Sequence, residues 1–143
     1  MNFHKFFFVS FLMLAVGCVI AGCSDSQTKS HRTAMDPTVN VVKRERAVGW
    51  LSDQALLTDI AKNADKASVR RAAIMKLTSQ ATLAAIAKTA PATEDLGDVE
   101  ARLAAVLAMK DLALLDDVAK NAICPTVREV AEITRNNLAT HTK

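Results

Sequence analysis

Aromatic side chains are nearly missing from this 143-residue chain once its first eleven residues are set aside. All five Phe (Phe3, Phe6, Phe7, Phe8 and Phe11) lie in that stretch, Tyr is absent, and Trp50 is the single aromatic residue that follows. Beyond residue 22 the only glycines are Gly49 and Gly97, so there is no glycine-rich loop to cradle a phosphate. Histidine is limited to His4, His31 and His141, all outside the central part of the chain. Ser–His and Cys–His catalytic pairs are therefore excluded there, as is a Cys/His metal cluster. No cofactor, no metal and no enzymatic activity are expected.

Charge excludes a further class. Lys5 lies in a segment expected to be removed, and without it 17 basic side chains face 15 acidic ones. They are interleaved rather than clustered, so no nucleic-acid partner is expected. What remains is Ala, Leu, Val, Ile and charged residues, a helix-former's composition.

The N-terminal segment carries its own signal. A basic start with Lys5 precedes a run from Phe6 to Ile20 that is apolar except for Ser10, Gly17 and Cys18. It is too short for a spanning helix of about 20 residues, and it suits a signal-peptide core. Ile20-Ala21-Gly22-Cys23 follows, and then Ser24-Asp25-Ser26. This tetrapeptide resembles the lipobox of bacterial lipoproteins. The resemblance implies cleavage after residue 22, palmitate-type acylation of Cys23 and attachment to a membrane of the cell envelope. By similarity to enterobacterial lipoproteins, Ser24 rather than Asp after the Cys implies the outer membrane, facing the periplasm. Cys18 then leaves with the signal, and Cys124 remains as the sole free thiol, a small, partly buried residue at a helix end. The alternative for Cys124 is pairing between molecules.

Residues 23–36 are expected to be the lipidated Cys and a flexible polar tether with a reach on the order of 20 Å. Asp36-Pro37 supplies a helix N-cap and first-turn proline, which opens a helical domain over residues 37–138. Residues 139–143 form a C-terminal tail.

That domain contains an internal repeat. Ala47 to Ala64 (AVGWLSDQALLTDIAKNA) recurs as Ala73 to Ala90 (AIMKLTSQATLAAIAKTA) and as Ala105 to Ala122 (AVLAMKDLALLDDVAKNA), at shifts of 26 and then 32 residues. The six additional residues fall around Pro91 to Gly97, where insertions belong. A further shift of 26 gives a half repeat ending near Leu138. Each unit reads as two short helices. Helix A carries Arg-x-x-Ala-(Val/Ile)-x-x-(Leu/Met), as in Arg70, Ala73, Ile74 and Leu77, and helix B carries Leu57, Ile60, Ala61, Ala64 and their equivalents. Ser52 and Thr78 are expected as N-caps between them. Met75, Leu107 and Ile133 lie opposite the Ala positions of helix A, which predicts helices buried nearly all round. Glu132 and Arg135 replace apolar residues in the last unit, as a terminal repeat requires.

Asp65 to Ala73 (DKASVRRAA), Asp98 to Ala105 (DVEARLAA) and Pro125 to Ala131 (PTVREVA) are similar to the D-x-x-V-R-x-x-A step of HEAT-type helical repeats. The resemblance implies an all-α fold, a short right-handed α-solenoid of about three and a half two-helix repeats.

Arg44, Arg70, Arg102 and Arg128 occupy one position in every unit, and Lys62, Lys88 and Lys120 another. The arginines are expected to bind carboxylates or carbonyls between adjacent units; a row facing an anionic partner is the alternative. Trp50 is expected to cover the open end of the stack or pack on the tether, with an exposed interface anchor as the alternative. Asp116-Asp117 and the group Glu94, Asp95, Asp98 and Glu100 are expected as solvated charge. The function these features point to is a lipid-anchored scaffold that binds an envelope protein. A binder of a peptidoglycan fragment or lipid is the alternative.

Overall fold

A computed structural model describes residues 24–89 and 96–141 of the chain. The signal segment, Cys23, Glu94 and Asp95 lie outside the described residues. Those described form eight α-helices with no strand among them. They are α1 over residues 24–35, α2 (Val41–Gly49), α3 (Gln54–Asn63), α4 (Ala67–Ile74), α5 (Gln80–Lys88), α6 (Leu96–Ala108), α7 (Leu112–Asn121) and α8 (Pro125–His141). The all-α expectation is met.

Helices of eight to ten residues, such as α2 to α5, are marginal in water by themselves. Their stability comes from burying one face, and the repeated positions supply it. Ala47, Val48 and Leu51, then Ala73, Ile74 and Leu77, then Ala105, Val106 and Met109 are buried. Leu57, Ile60 and Ala61 in α3, Leu83, Ile86 and Ala87 in α5, and Leu115 and Val118 in α7 join them in one core. Each large aliphatic side chain contributes about 1.5–3 kcal/mol by this burial. Ala at the remaining inward positions lets the backbones approach closely. In the contact pattern α4 packs between α2 and α6, α6 packs against α8, and α5 packs against α6 and α7.

Several expectations are corrected. Residues 24–35, expected as part of a tether, are helical, and Ala34 is fully buried. Hydrogen bonding outweighs polarity here, because α1 is tied to α2 and α3 by side chains described below. Asp36 does not cap a helix. Its carboxylate instead accepts the Thr38 backbone N–H at 2.9 Å and the Thr38 hydroxyl at 2.7 Å, closing a turn. The N-cap of α2 is Asn40, whose side chain accepts the Val42 N–H at 2.9 Å. The N-caps of α3 and α5 are Asp53 and Ser79, one residue beyond Ser52 and Thr78, and Asp111 caps α7. At the other end, α8 runs through the expected tail to His141. Met75, Leu107 and Ile133 are exposed by 68, 67 and 51% rather than buried.

Candidate functional site

The arginine positions of the repeat are used structurally wherever the described residues show their partners. Arg44 is 1% exposed. Its Nε donates to the Ala34 carbonyl at 2.8 Å, and its Nη2 meets Asp65 Oδ1 at 2.5 Å. One guanidinium thus ties α1, α2 and the entry to α4 together. Arg70 repeats the arrangement one unit on: Nη1 donates to the Ala64 and Asp65 carbonyls, and Nη2 is bonded to the Asp98 carboxylate in α6. Arg102 binds the Asp98 carbonyl through Nε and the Thr89 carbonyl through Nη1. Arg128 donates to the Ala122 and Ile123 carbonyls. The pairing expected between units holds for these side chains. The Arg44 guanidinium beside Asp65 holds that carboxyl below its usual range.

A second series escaped the sequence reading. Gln27 accepts the Ser52 and Asp53 backbone N–H groups through Oε1, at 2.8 and 3.2 Å, and donates to the Trp50 carbonyl. Gln54 accepts the Thr78 N–H at 2.9 Å and donates to the Lys76 carbonyl. Gln80 accepts the Lys110 and Asp111 N–H groups at 2.6 and 3.2 Å. Each Gln satisfies the turn between the next two helices, where the backbone donors have no helical partner. The signal was present: Gln54 and Gln80 are equivalent residues of the repeat. Leu112 replaces them in the last unit, which has no such turn to satisfy because α8 is continuous.

The B-helix charges are also engaged. Lys88 pairs with Asp117 at 2.6 Å, and Asp116 receives both Lys120 at 2.5 Å and Arg135. Lys120 and then Arg135 lower the Asp116 pKa; Lys88 and then Asn121 lower that of Asp117. His31, expected in the tether, bonds Asp59 of α3 at 2.6 Å. Asn63 first, and His31 second, hold the Asp59 carboxyl below its ordinary value.

Trp50 does not pack on its neighbours, because its side chain stands beyond the last turn of α2 and is 73% exposed. With Lys29, Ser30, Thr33, Lys43 and Arg46 it lines a shallow open depression between α1 and α2. Elsewhere Met75, Leu107 and Ile133 occupy one repeat position on the successive neighbours α4, α6 and α8. Gly49 is their equivalent on α2. The result is a row of exposed apolar residues at one repeat position, and Trp50 follows Gly49 in the chain.

Among the described residues no group of His, Cys, Asp and Glu is arranged to hold a metal ion. No described helix is long and apolar enough to cross a membrane. The geometry defines an all-α protein in which the Arg44–Asp65, Arg70–Asp98, Lys88–Asp117 and Arg135–Asp116 pairs join one helix to another. No protein-family model, curated protein or solved structure matches the chain.

Proposed function

We propose that this chain is a lipid-anchored, non-enzymatic scaffold of the bacterial envelope, a short α-solenoid that binds another envelope protein. The observation that carries the reading is the exposed row of Met75, Leu107 and Ile133. Large apolar side chains exposed at one repeat position on three helices that pack in succession suit an interaction surface. The non-enzymatic reading draws support from the charges: Arg44, Arg70, Lys88, Asp98, Asp116 and Asp117 are all committed to pairs that join helices.

The anchor rests on Ile20-Ala21-Gly22-Cys23. Each acyl methylene buried in lipid contributes about 0.8 kcal/mol, and two or more chains hold a protein stably. Cys23 is four residues in sequence from Gln27, whose side chain bonds the Trp50 carbonyl. With α1 helical from residue 24, the proposed anchor would hold the domain on a short leash rather than a long tether.

Crosslinking in cells followed by affinity capture from solubilised membranes tests the scaffold. A partner is expected with the wild type and lost in the Met75→Asp/Leu107→Asp double variant. Capture undiminished by that variant overturns the assigned surface, and absence of any crosslinked partner overturns the scaffold. Palmitate labelling that survives Cys23→Ala overturns the anchor.

A second reading, a binder of a peptidoglycan fragment or lipid, is favoured by one observation, the exposed Trp50 beside Lys29, Lys43 and Arg46. An aromatic face next to cations suits an anionic, partly apolar ligand. Thermal stabilisation by muropeptides or anionic lipid that disappears in Trp50→Ala supports this reading over the first.

A further inference from the structure

The arginine series is incomplete at one place. Arg44 Nη2 takes the Asp65 carboxylate just before α4, and Arg70 Nη2 takes the Asp98 carboxylate in the first turn of α6. The next acceptor belongs at the start of α8, against which α6 packs. No carboxylate precedes that helix. Cys124 is there, four residues before Arg128, as Asp98 is four before Arg102. Arg102 is 4% exposed, and its Nη2 is buried with no hydrogen-bond partner among the described residues. The same guanidinium nitrogen that finds an anion in the two preceding units is the orphan here. A buried unpaired donor on a charged group is costly, so this atom marks a place for an anion.

Cys124 has the environment to become that anion. It is half-buried, and its carbonyl accepts the Arg128 N–H at 3.2 Å, which makes it the N-cap of the 17-residue α8. The Val127 backbone N–H holds the thiol below its usual range, against opposing burial. The Thr126 N–H and hydroxyl and the Arg102 charge add to the lowering. Helix N-termini and neighbouring cations are two of the settings that make cysteines reactive.

We propose that Cys124 is an oxidative modification site whose thiolate is paired with Arg102 and which reacts with hydroperoxides. The thiolate sulfur attacks the terminal oxygen of the peroxide, forming an S–O bond as the O–O bond breaks. Sulfur loses two electrons and the peroxide is reduced. The attacked oxygen keeps its proton, giving a sulfenic acid, while the departing oxyanion takes a proton from water and leaves as an alcohol, or as water when hydrogen peroxide is the oxidant. Ionisation of the sulfenic acid supplies an anionic oxygen for Arg102 Nη2. A disulfide leaves no oxygen on the Cys124 sulfur, which is why an oxyacid fits this site. The modification acts at the α6–α8 contact, the last joint of the stack. The inference rests on the unpartnered Arg102 Nη2, the α6–α8 contact and the place of Cys124 in the series of Nη2 acceptors, and not on the scaffold reading.

The test uses the full chain, with Cys124 followed through its tryptic peptide, residues 121–128, so that Cys18 and Cys23 do not interfere. The rate of iodoacetamide alkylation is measured against pH, and sulfenic acid is trapped with dimedone after graded hydrogen peroxide. The wild-type alkylation midpoint is expected below the ordinary thiol value of about 8.5, with dimedone adduct on this peptide. Arg102→Gln is expected to raise the midpoint, and Arg102→Lys to restore part of the shift. Because nucleophilicity falls with pKa, the rate at pH 7 should drop about three-fold per unit of that rise. A wild-type midpoint at or above the ordinary value, or no adduct on this peptide, overturns the proposal without any variant. An Arg102→Gln profile identical to wild type does so as well. If Arg102→Gln does not fold, Cys124→Asp decides the pairing: a raised thermal midpoint supports it and a lowered one overturns it.

Discussion

The side-chain carbonyl of Gln27 accepts the backbone N–H of Ser52 at 2.8 Å, across 25 positions of sequence. Gln54 does the same for Thr78 and Gln80 for Lys110, so α1 serves the α2–α3 turn as α3 serves the α4–α5 turn. Gln27→Ala should cost about 1 kcal/mol and selectively increase amide exchange in α1. Uniformly faster exchange across all helices, with no preference for α1, would contradict this role.

Arg44 and Arg128 occupy equivalent positions with unequal consequences. Arg44 is buried and its loss orphans the Ala34 carbonyl, so Arg44→Ala should destabilise by about 1–3 kcal/mol. Arg128 is half-buried and bonds carbonyls at the end of the stack, and its replacement should cost less. Urea denaturation of the two variants checks the order, and equal losses would refute it.

Gly49 sits in the last turn of α2 with helical backbone, and a methyl group added there meets nothing within 4 Å. Gly49→Ala should therefore raise stability by about 0.5–1 kcal/mol. A lower thermal midpoint for this variant would show a contact that the structure does not contain.

Acid should loosen the joint between α2 and α4. The Arg44 hydrogen bond chiefly depresses the folded-state pKa of Asp65 below the ordinary carboxyl value of 3.8. The sign follows: this contribution is fully present above about 3.8, where the unfolded carboxyl is already ionised, and is lost as pH falls through the lower folded value. Asp65 is largely exposed, so screening keeps the effect small. Stability of wild type minus Asp65→Asn should shrink below pH 4 and stay constant from pH 5 to 7. A difference that grows on acidification would reverse the sign.

Met75→Asp and Leu107→Asp replace exposed side chains that the core does not use. Each should change stability by no more than about 0.5 kcal/mol while reducing crosslinking to an envelope partner. A loss of several kcal/mol would mean that the row is packed rather than offered.

Repetition made the helical architecture legible. Leu57, Ile60, Ala73, Ile74, Ala105 and Val106 recur at helical spacing, and helices this short require neighbours to bury that face. The arginine pairing was likewise visible, because a repeated cation at a helix–helix step needs a repeated acceptor. Residues 24–35 were not legible. Their polar composition carries no apolar stripe, and α1 is held by Gln27, His31 and the Ala34 carbonyl against partners 10 to 28 residues away. The error at Met75, Leu107 and Ile133 has a related cause. An apolar residue opposite a buried face predicts burial only if a further neighbour exists, and periodicity within one helix does not count its neighbours.

By itself the sequence determined that the repeat region is helical, that the recurring Ala, Val, Ile and Leu face of its helices is buried, and that Arg44, Arg70, Arg102 and Arg128 stand in register. These are local properties of spacing and side-chain chemistry. Only the tertiary structure decided that α1 is helical and bonded to α3 and the α2–α3 turn, that Trp50, Met75, Leu107 and Ile133 are exposed, and that Arg102 Nη2 has no partner among the described residues where the same nitrogen of Arg44 and Arg70 meets aspartate. Those depend on which surfaces meet, and an unpaired guanidinium nitrogen exists only once every surrounding partner has been placed.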